Sequence, residues 1–352
     1  MPKRYITFLS RASQLCGVED FARQLTRRLP GQGDSWILGE RSTALLRQLR
    51  DFDGLLFNFP VVAWKRTLFS PSFLAFGARL RRKEVVVILH EWQALDWKRR
   101  AVLTPVVAMA TRLAFSAPEI AEEFRRSRLS AVSTADRRLI PIPPSLLPPA
   151  EERGSPARDM LDRQRARGRM ILGQFGSIYP KKQSTAVLDV ARRLLDRGQD
   201  VFVVFIGSFI KGMDDVEEDF YRRVRQAGLE DRVLVTGYVG DDSELFALFK
   251  GVDVFCYVFP EGLTSRRTSV LAAALVGRPV VVNAPQRPDA LDHHVLYRRL
   301  IETQAVRLVA NDADIDAVAD AVSSAAASRP QKLELAAEID AVWRGVVETL
   351  SD

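Results

Sequence analysis

Cysteine is nearly absent: 352 residues contain only Cys16 and Cys256. They lie far apart, each beside an apolar run. This excludes a disulfide framework and a cysteine-rich metal site, and fits buried free thiols in a reducing compartment. Histidine is scarce too, with three in the chain. The pair His293-His294 has no cysteine or carboxylate at ligand spacing, so no metal is expected there. No stretch reaches the roughly 18 uninterrupted apolar residues of a membrane span. The N-terminal MPKRYITFLS lacks the apolar core and cleavage site of a signal peptide. A cytoplasmic location is therefore expected.

Acidic charge is thin in one half. Residues 1–150 hold 24 Lys and Arg against 13 Asp and Glu, a net +11, whereas residues 151–352 hold 27 against 31, a net −4. A one-sided basic field attracts anionic surfaces. No nucleic-acid-binding motif accompanies it, so nucleic acid is not expected as a partner. A composition of 47% hydrophobic and 27% charged residues gives no sign of general disorder. The length suggests two domains.

Apolar runs alternate with helical spacing. Strand-like runs are Tyr5–Leu9, Gly54–Asn58, Val85–Leu89, Leu113–Ser116 and Arg138–Ile142. A second set is Met170–Phe175, Val201–Ile206, Val233–Thr236, Val252–Tyr257 and Pro279–Asn283. Short, Val- and Ile-rich runs bounded by turn residues read as strands buried on both faces. Glu19–Leu29 and Ser184–Arg197 carry apolar stripes at helical spacing. The alternation implies α/β architecture with parallel sheets. The proline-rich stretch 141–149 breaks the pattern. The expected domains are 1–148 and 169–330, with 149–168 as linker and surface segment. A terminal helix over 331–350 packs back on the body.

In doubly wound sheets, ligands sit beyond the carboxyl ends of the strands, which directs attention to four loops. The stretch Phe259–Val281 runs strand, loop, helix, Gly turn, strand. Arg266 and Arg267 end its loop where the helix begins, with Thr268 and Ser269 next. A helix start and two guanidinium groups suit a diphosphate; the two hydroxyls could equally cap the helix. The stretch Gly173–Gln183 places Gly176, Lys181 and Lys182 between a strand and a helix, where the lysines either meet a ligand or are simply solvated. Gly17, with Glu19 and Asp20, follows the first strand. His90, with Glu91, follows Val85–Leu89 and reads either as a site residue or as a structural histidine.

These four stretches, in this order, resemble the retaining glycosyltransferases of the GT-B fold, family 4, across nearly the whole chain. The resemblance implies two Rossmann-like domains with parallel sheets flanking a cleft. It aligns Gly17 and Glu19 with the family's early Gly-rich turn and acid, and His90-Glu91 with its His-acidic pair. It aligns Gly176-Ser177 and Lys182-Gln183 with its Gly-Arg…Lys-Gly motif. Glu261-Gly262 and Gly277-Arg-Pro-Val-Val281 match the two ends of its acidic motif. Ser177 stands where the family has a phosphate-binding Arg. Ser269 stands where it has a second Glu, and the alternative alignment puts Ala272 there, so the carboxylate is missing either way.

By resemblance, the activity is transfer of a sugar from a nucleotide-sugar donor to a saccharide or lipid-linked acceptor, with retention and without metal or other cofactor. His90, Lys182 and Glu261 are then the catalytic candidates. Gly17, Gly176, Ser177, Lys182, Gly262, Leu263, Thr264, Arg266, Arg267, Thr268 and Ser269 hold the donor, and Glu19 and Glu91 lie on the acceptor side. A role in surface polysaccharide or glycoconjugate biosynthesis follows. A non-catalytic scaffold of the same fold and a sugar-nucleotide epimerase are the alternatives. The segment Val61–Lys83 joins aromatic residues to Lys65, Arg66, Arg79, Arg81, Arg82 and Lys83. It reads either as a contact with an anionic membrane, peripheral on its inner face, or as a core helix with a solvated charged end.

Overall fold

Apolar runs too short for helices form two separate sheets of six parallel strands each. The structure is a computed structural model that describes residues 3–9, 17–29, 33–37, 42–60, 69–93, 95–210, 215–328 and 333–351. Cys16 and the part of the basic segment from Val61 to Leu68 lie outside the described residues. The chain divides into two units, Met1–Ser145 with Ala337–Asp352, and Leu146–Ala336.

In the first unit the order is β1 (Tyr5–Leu9), α1 (Gly17–Arg28), β2 (Asp34–Ile37), α2 (Ser42–Gln48), β3 (Gly54–Phe59) and α3 (Ser70–Leu80). It continues through β4 (Glu84–Leu89), α4 (Trp97–Ala108), β5 (Arg112–Phe115), α5 (Pro118–Arg125), α6 (Arg128–Val132) and β6 (Asp136–Leu139). The sheet runs β2-β1-β3-β4-β5-β6. Its middle strand β3 is buried along its whole length, as expected of a strand covered by helices on both faces. The last strand begins at Asp136 rather than at the expected Arg138, because this polar edge strand pairs with β5 from Arg112 onward.

The second unit begins with α7 (Pro156–Ala166), β7 (Met170–Phe175), α8 (Ser184–Asp196), β8 (Val201–Ile206), α9 (Val216–Gln226) and β9 (Val233–Val235). Then come α10 (Asp242–Lys250), β10 (Val254–Tyr257), α11 (Thr268–Ala274), β11 (Val280–Asn283), α12 (Val295–Glu302), β12 (Val306–Val309) and α13 (Ile315–Ala326). Its sheet runs β12-β11-β10-β7-β8-β9. Each unit has its own apolar core.

Residues 149–168, expected as linker and surface, contain α7. Ser155 Oγ accepts from Arg158 N at 3.2 Å, and Pro156 occupies the first turn, a strong start signal. Only Leu161 and Gln164 are buried, so the apolar period is too faint to read. The final helix, α14 (Ala336–Ser351), belongs to the first unit. Arg112 donates to Leu350 O at 2.7 Å, and Trp343 stacks on Phe21 with ring centroids 5.8 Å apart.

Strand order fixes where a ligand can go. In the second sheet the chain runs outward from β7 to β9, then restarts at β10 on the other side. The helices after β7 and β10 therefore lie on opposite faces and leave a crevice beyond these two strand ends. The corresponding switch in the first sheet lies between β1 and β3.

Candidate functional site

Beyond β7 the chain turns at Gly176 and passes through a 3-10 turn, Pro180–Lys182, before α8. That turn folds Lys182 back over the strand end. Its Nζ donates to Phe175 O at 2.5 Å and lies 5.8 Å from the Tyr257 ring centroid. The side chain is buried. Burial first, and the nearby Arg267 guanidinium second, push its pKa down to about 7. A β-carbon on Gly176 would lie 2.2 Å from Lys182 Nζ and 3.7 Å from Ser269 Cβ. The backbone at Gly176, the lysine and the start of α11 are thus in contact.

The loop after β10 supplies the other side. The Tyr257 hydroxyl accepts from Phe175 N at 3.1 Å and donates to Ser269 O at 3.2 Å, tying the β7 end to α11. Arg267 forms an ion pair with Glu261. Its guanidinium carbon lies 4.1 Å from the Phe259 ring centroid, a cation–π contact that fixes its plane. The Tyr297 hydroxyl donates to Arg267 O at 2.7 Å. Buried Asn283 grips the loop base, accepting from Phe259 N at 2.8 Å and donating to Phe259 O at 2.6 Å. Leu263 reaches the site only as a buried neighbour, since its N–H is bonded to Asn283 O.

Two buried polar atoms here are left open. Thr264 Oγ1 and Arg267 Nε have no hydrogen-bond partner among the described residues. Buried groups are nearly always paired, so these two are donors positioned for something the folded chain does not itself provide. The helix start contributes less than its sequence suggests. α11 has seven residues, its N-cap is Arg267, and neither Thr268 nor Ser269 caps it through a side chain. The cations of Lys182 and Arg267 therefore supply the positive potential. Arg266 stands half-buried next to them.

The remaining candidates lie in the first unit. Gly17 opens α1, and Glu19 in its first turn is buried and accepts from Arg23 at 2.9 Å. His90 follows β4, buried, with Nε2 at 3.5 Å from Asn58 Oδ1 and its ring edge-on to Phe21. Glu91 is partly exposed beside it. Phe21 thus joins the start of α1 to the loop after β4. Among the described residues, no three His, Cys, Asp or Glu side chains are grouped as metal ligands.

The family described as glycosyl transferases group 1 matches residues 169–328, the span that carries Gly176, Lys182 and the 259–269 loop. No curated protein matches the chain by sequence. Among solved structures, the chain is similar to Anabaena HepE in complex with UDP and glucose, with TM-score 0.61, 15% identity and 99% of both chains covered. It is similar to sucrose-phosphate synthase from Thermosynechococcus elongatus, with TM-score 0.60, 16% identity, and 99% of this chain and 95% of that one covered. A glycosyltransferase from Rickettsia africae gives TM-score 0.59 at 10% identity, covering 99% and 94%. The fold is that of the GT-B glycosyltransferases, as the sequence motifs imply.

The second unit has a feature that its motifs do not announce. A cavity of about 200 Å³ opens beside Gly176 and Ser177, lined also by Gly207, Tyr238, Val239 and Gly240. It lies beyond the ends of β7, β8 and β9. Two glycines closely spaced after a strand, Gly237 and Gly240, were its signal in the sequence.

The buried lysine gives the domain a pH signature. Lys182 is protonated below about 7 and neutral above it. An anion bound against it is held more tightly by the protonated form. The dissociation constant of a nucleoside diphosphate should therefore be flat just below pH 7 and rise toward about tenfold per pH unit above it. Isothermal titration across that range checks this, and a flat profile through pH 9 or so would remove Lys182 from the anion site.

Proposed function

We propose that the protein transfers a glycosyl group from a nucleotide-sugar donor to a saccharide or lipid-linked acceptor, with retention of anomeric configuration. The supporting observation is a pair of neighbouring cations at the switch point of the second sheet. Lys182 and Arg267 there stand beside the unpartnered Thr264 hydroxyl. A diphosphate satisfies the charge and the open donors together. HepE, which shares the fold, is known with UDP and glucose bound, consistent with a nucleotide donor.

The cavity beside Gly176 takes the nucleobase. Glu261 binds donor-sugar hydroxyls, and Glu19 and Glu91 are the acceptor-side residues. In the reaction the bond from the anomeric carbon to the diphosphate breaks, and its electron pair goes to the phosphate oxygen. The acceptor hydroxyl oxygen bonds the same carbon from the same face, and its proton leaves on the diphosphate. Lys182 and Arg267 stabilise the charge that develops on the leaving oxygen, an electrostatic effect that usually dominates catalysis. Because side-chain cations do this work, the proposed reaction uses neither metal nor other cofactor. A lipid-linked acceptor for surface polysaccharide or glycoconjugate synthesis requires the enzyme to work at a membrane.

Ser269 in place of a carboxylate favours one second reading, a scaffold that binds donor without turning it over. Thermal-shift measurement against nucleotides and nucleotide sugars, followed by a donor-turnover assay, separates the two. The stabilising nucleotide should lose its effect in Arg267→Ala, and turnover should fall at least about tenfold. Near-normal turnover by a folded Lys182→Ala/Arg267→Ala double variant would end the proposal.

A further inference from the structure

The helix α3 is apolar on two sides. Toward the sheet it buries Pro71, Leu74, Ala75 and Ala78. Away from the sheet, Phe69, Phe73, Phe76 and Leu80 are 85, 51, 54 and 67% exposed. The spacings of four, three and four residues place them on a single stripe. The sequence left two readings open for this segment, membrane contact or core helix; the described part of it is a core helix on one face only.

The stripe has a neighbour. α3 joins β3 to β4 and α4 joins β4 to β5, with the strands advancing the same way across the sheet. Right-handed crossovers put both helices on one face, and they pack against each other. Their first turns lie at the same edge of the sheet. Trp97, in the first turn of α4, is 74% exposed. Val132, at the end of α6 and also exposed, lies on a helix that packs against α4. Half of the exposed large apolar side chains found among the described residues therefore belong to three adjoining helices. Exposed apolar side chains gathered on adjoining helices in this way mark an interaction site rather than ordinary surface scatter.

Charge selects the occupant. Neither Phe69–Lys83 nor Trp97–Ala108 contains an Asp or Glu. Arg79, Arg81 and Arg82 flank one end of the stripe, and Lys98 and Arg100 flank the other. Arg79 and Arg82 form no ion pair among the described residues. Lys83 is not available, because its Nζ donates to Phe52 O at 2.6 Å. Pairing this face with a second copy about a two-fold axis would set like charges against each other. An anionic bilayer matches both properties: aromatic rings enter the headgroup boundary while arginine and lysine meet lipid phosphates.

We infer that the α3–α4 face of the first unit docks on an anionic phospholipid surface, with Phe69, Phe73, Phe76, Leu80 and Trp97 inserted and the flanking cations on the headgroups. The inference stands apart from the donor site.

Flotation with phosphatidylcholine vesicles, with and without phosphatidylglycerol, tests it. The protein should float only with the anionic vesicles, and less so as salt rises. Phe73→Ser with Phe76→Ser should lower partitioning at least about tenfold. Arg79→Gln with Arg82→Gln should lower it about fivefold per cation removed. All four side chains are exposed, and none is in the donor site, so turnover of donor in solution should be unchanged and reports folding independently. Tryptophan emission should shift to the blue with anionic vesicles and lose that shift in Trp97→Phe. Equal recovery on neutral and anionic vesicles, or unchanged binding by both double variants, would overturn the inference. So would a concentration-dependent dimer that disappears in Phe73→Ser/Phe76→Ser, since the face would then belong to a second copy.

Discussion

Lys182→Met should lower turnover about a hundredfold or more and, below pH 7, make the protein harder to unfold. The loss of rate follows from removing a pre-placed cation beside the developing negative charge of the leaving group, where single donors are worth this much. The gain in stability follows from burial. In the folded state the lysine's pKa is lowered from 10.5 to about 7, so the folded state disfavours the charged form. The unfolded chain then binds more protons between those two values. The resulting destabilisation is complete below about pH 7 and fades as pH rises toward 10.5. Its upper limit is about 5 kcal/mol, reduced in the variant because Phe175 O loses the Nζ donor. A net gain of about 1–3 kcal/mol at pH 6 or so is expected. Chemical denaturation of both proteins at two pH values reads it directly. If the variant were less stable at both, or as active as the wild type, Lys182 would be a packing residue. The combination of a stabler fold with a dead site is what a functional buried charge predicts.

The second large effect belongs to Gly262. Its φ is +70°, and a β-carbon there would lie 2.1 Å from Ala284 O and 2.8 Å from Asn311 Oδ1. The first of these is a backbone oxygen on the connection leaving β11, which cannot swing aside as a side chain does. Asn311 is itself held by the Asn283 amide, which donates to its Oδ1 at 2.8 Å. Gly262→Ala therefore combines left-handed strain with a backbone collision. A stability loss of about 2–4 kcal/mol is expected, a fall in melting temperature of several degrees for a unit of this size. The loop must shift away from β11, carrying Glu261 and the Arg267 partner with it, so turnover should drop at least about tenfold even at temperatures where the variant is folded. Gly154→Ala is the matched control. A β-carbon there meets nothing within 4 Å, so its effect should stay within about 0.5 kcal/mol. Equal behaviour of the two variants would show that the loop tolerates displacement and that its geometry does not matter.

The sequence was most legible where strands are central. Tyr5–Leu9, Met170–Phe175 and Val201–Ile206 match their strands to the residue, because each is a mostly apolar run that is largely buried. It was least legible at the sheet edges. β2 and β12 were missed, and both are outermost strands. With a sheet neighbour on one side only, Asp34–Ile37 and Val306–Val309 can carry Asp, Ser and Arg, which dilutes the apolar signal. β6, another edge strand, reads Asp-Arg-Arg-Leu and was misplaced for the same reason.

The loops of the candidate site could be found because strand-to-helix turns are where an α/β sheet exposes ligand-facing residues. Which residues act there could not be read so simply. Lys181 and Lys182 look alike in sequence, yet only the 3-10 turn after Tyr179 decides that Lys182 folds inward. Arg266 and Arg267 are likewise adjacent, and it is the Phe259 ring, the Glu261 carboxylate and the Tyr297 hydroxyl that fix Arg267. Asn283 has no visible motif at all. Its role depends on Phe259 lying across from it, a neighbour supplied by sheet order rather than by sequence distance.

The membership of α14 in the first unit has a consequence for how the chain is made. This helix leaves the ribosome after the whole second unit, although the rings and strands it covers precede that unit. The second unit has its full sequence available while the earlier one still waits for a closing piece. Domains usually mature in order of synthesis; here the first unit is completed after the second. A nascent chain clipped before Ala336 would keep a whole second sheet but leave Phe21 without the indole that covers it, making an incomplete product a target for chaperones and proteases.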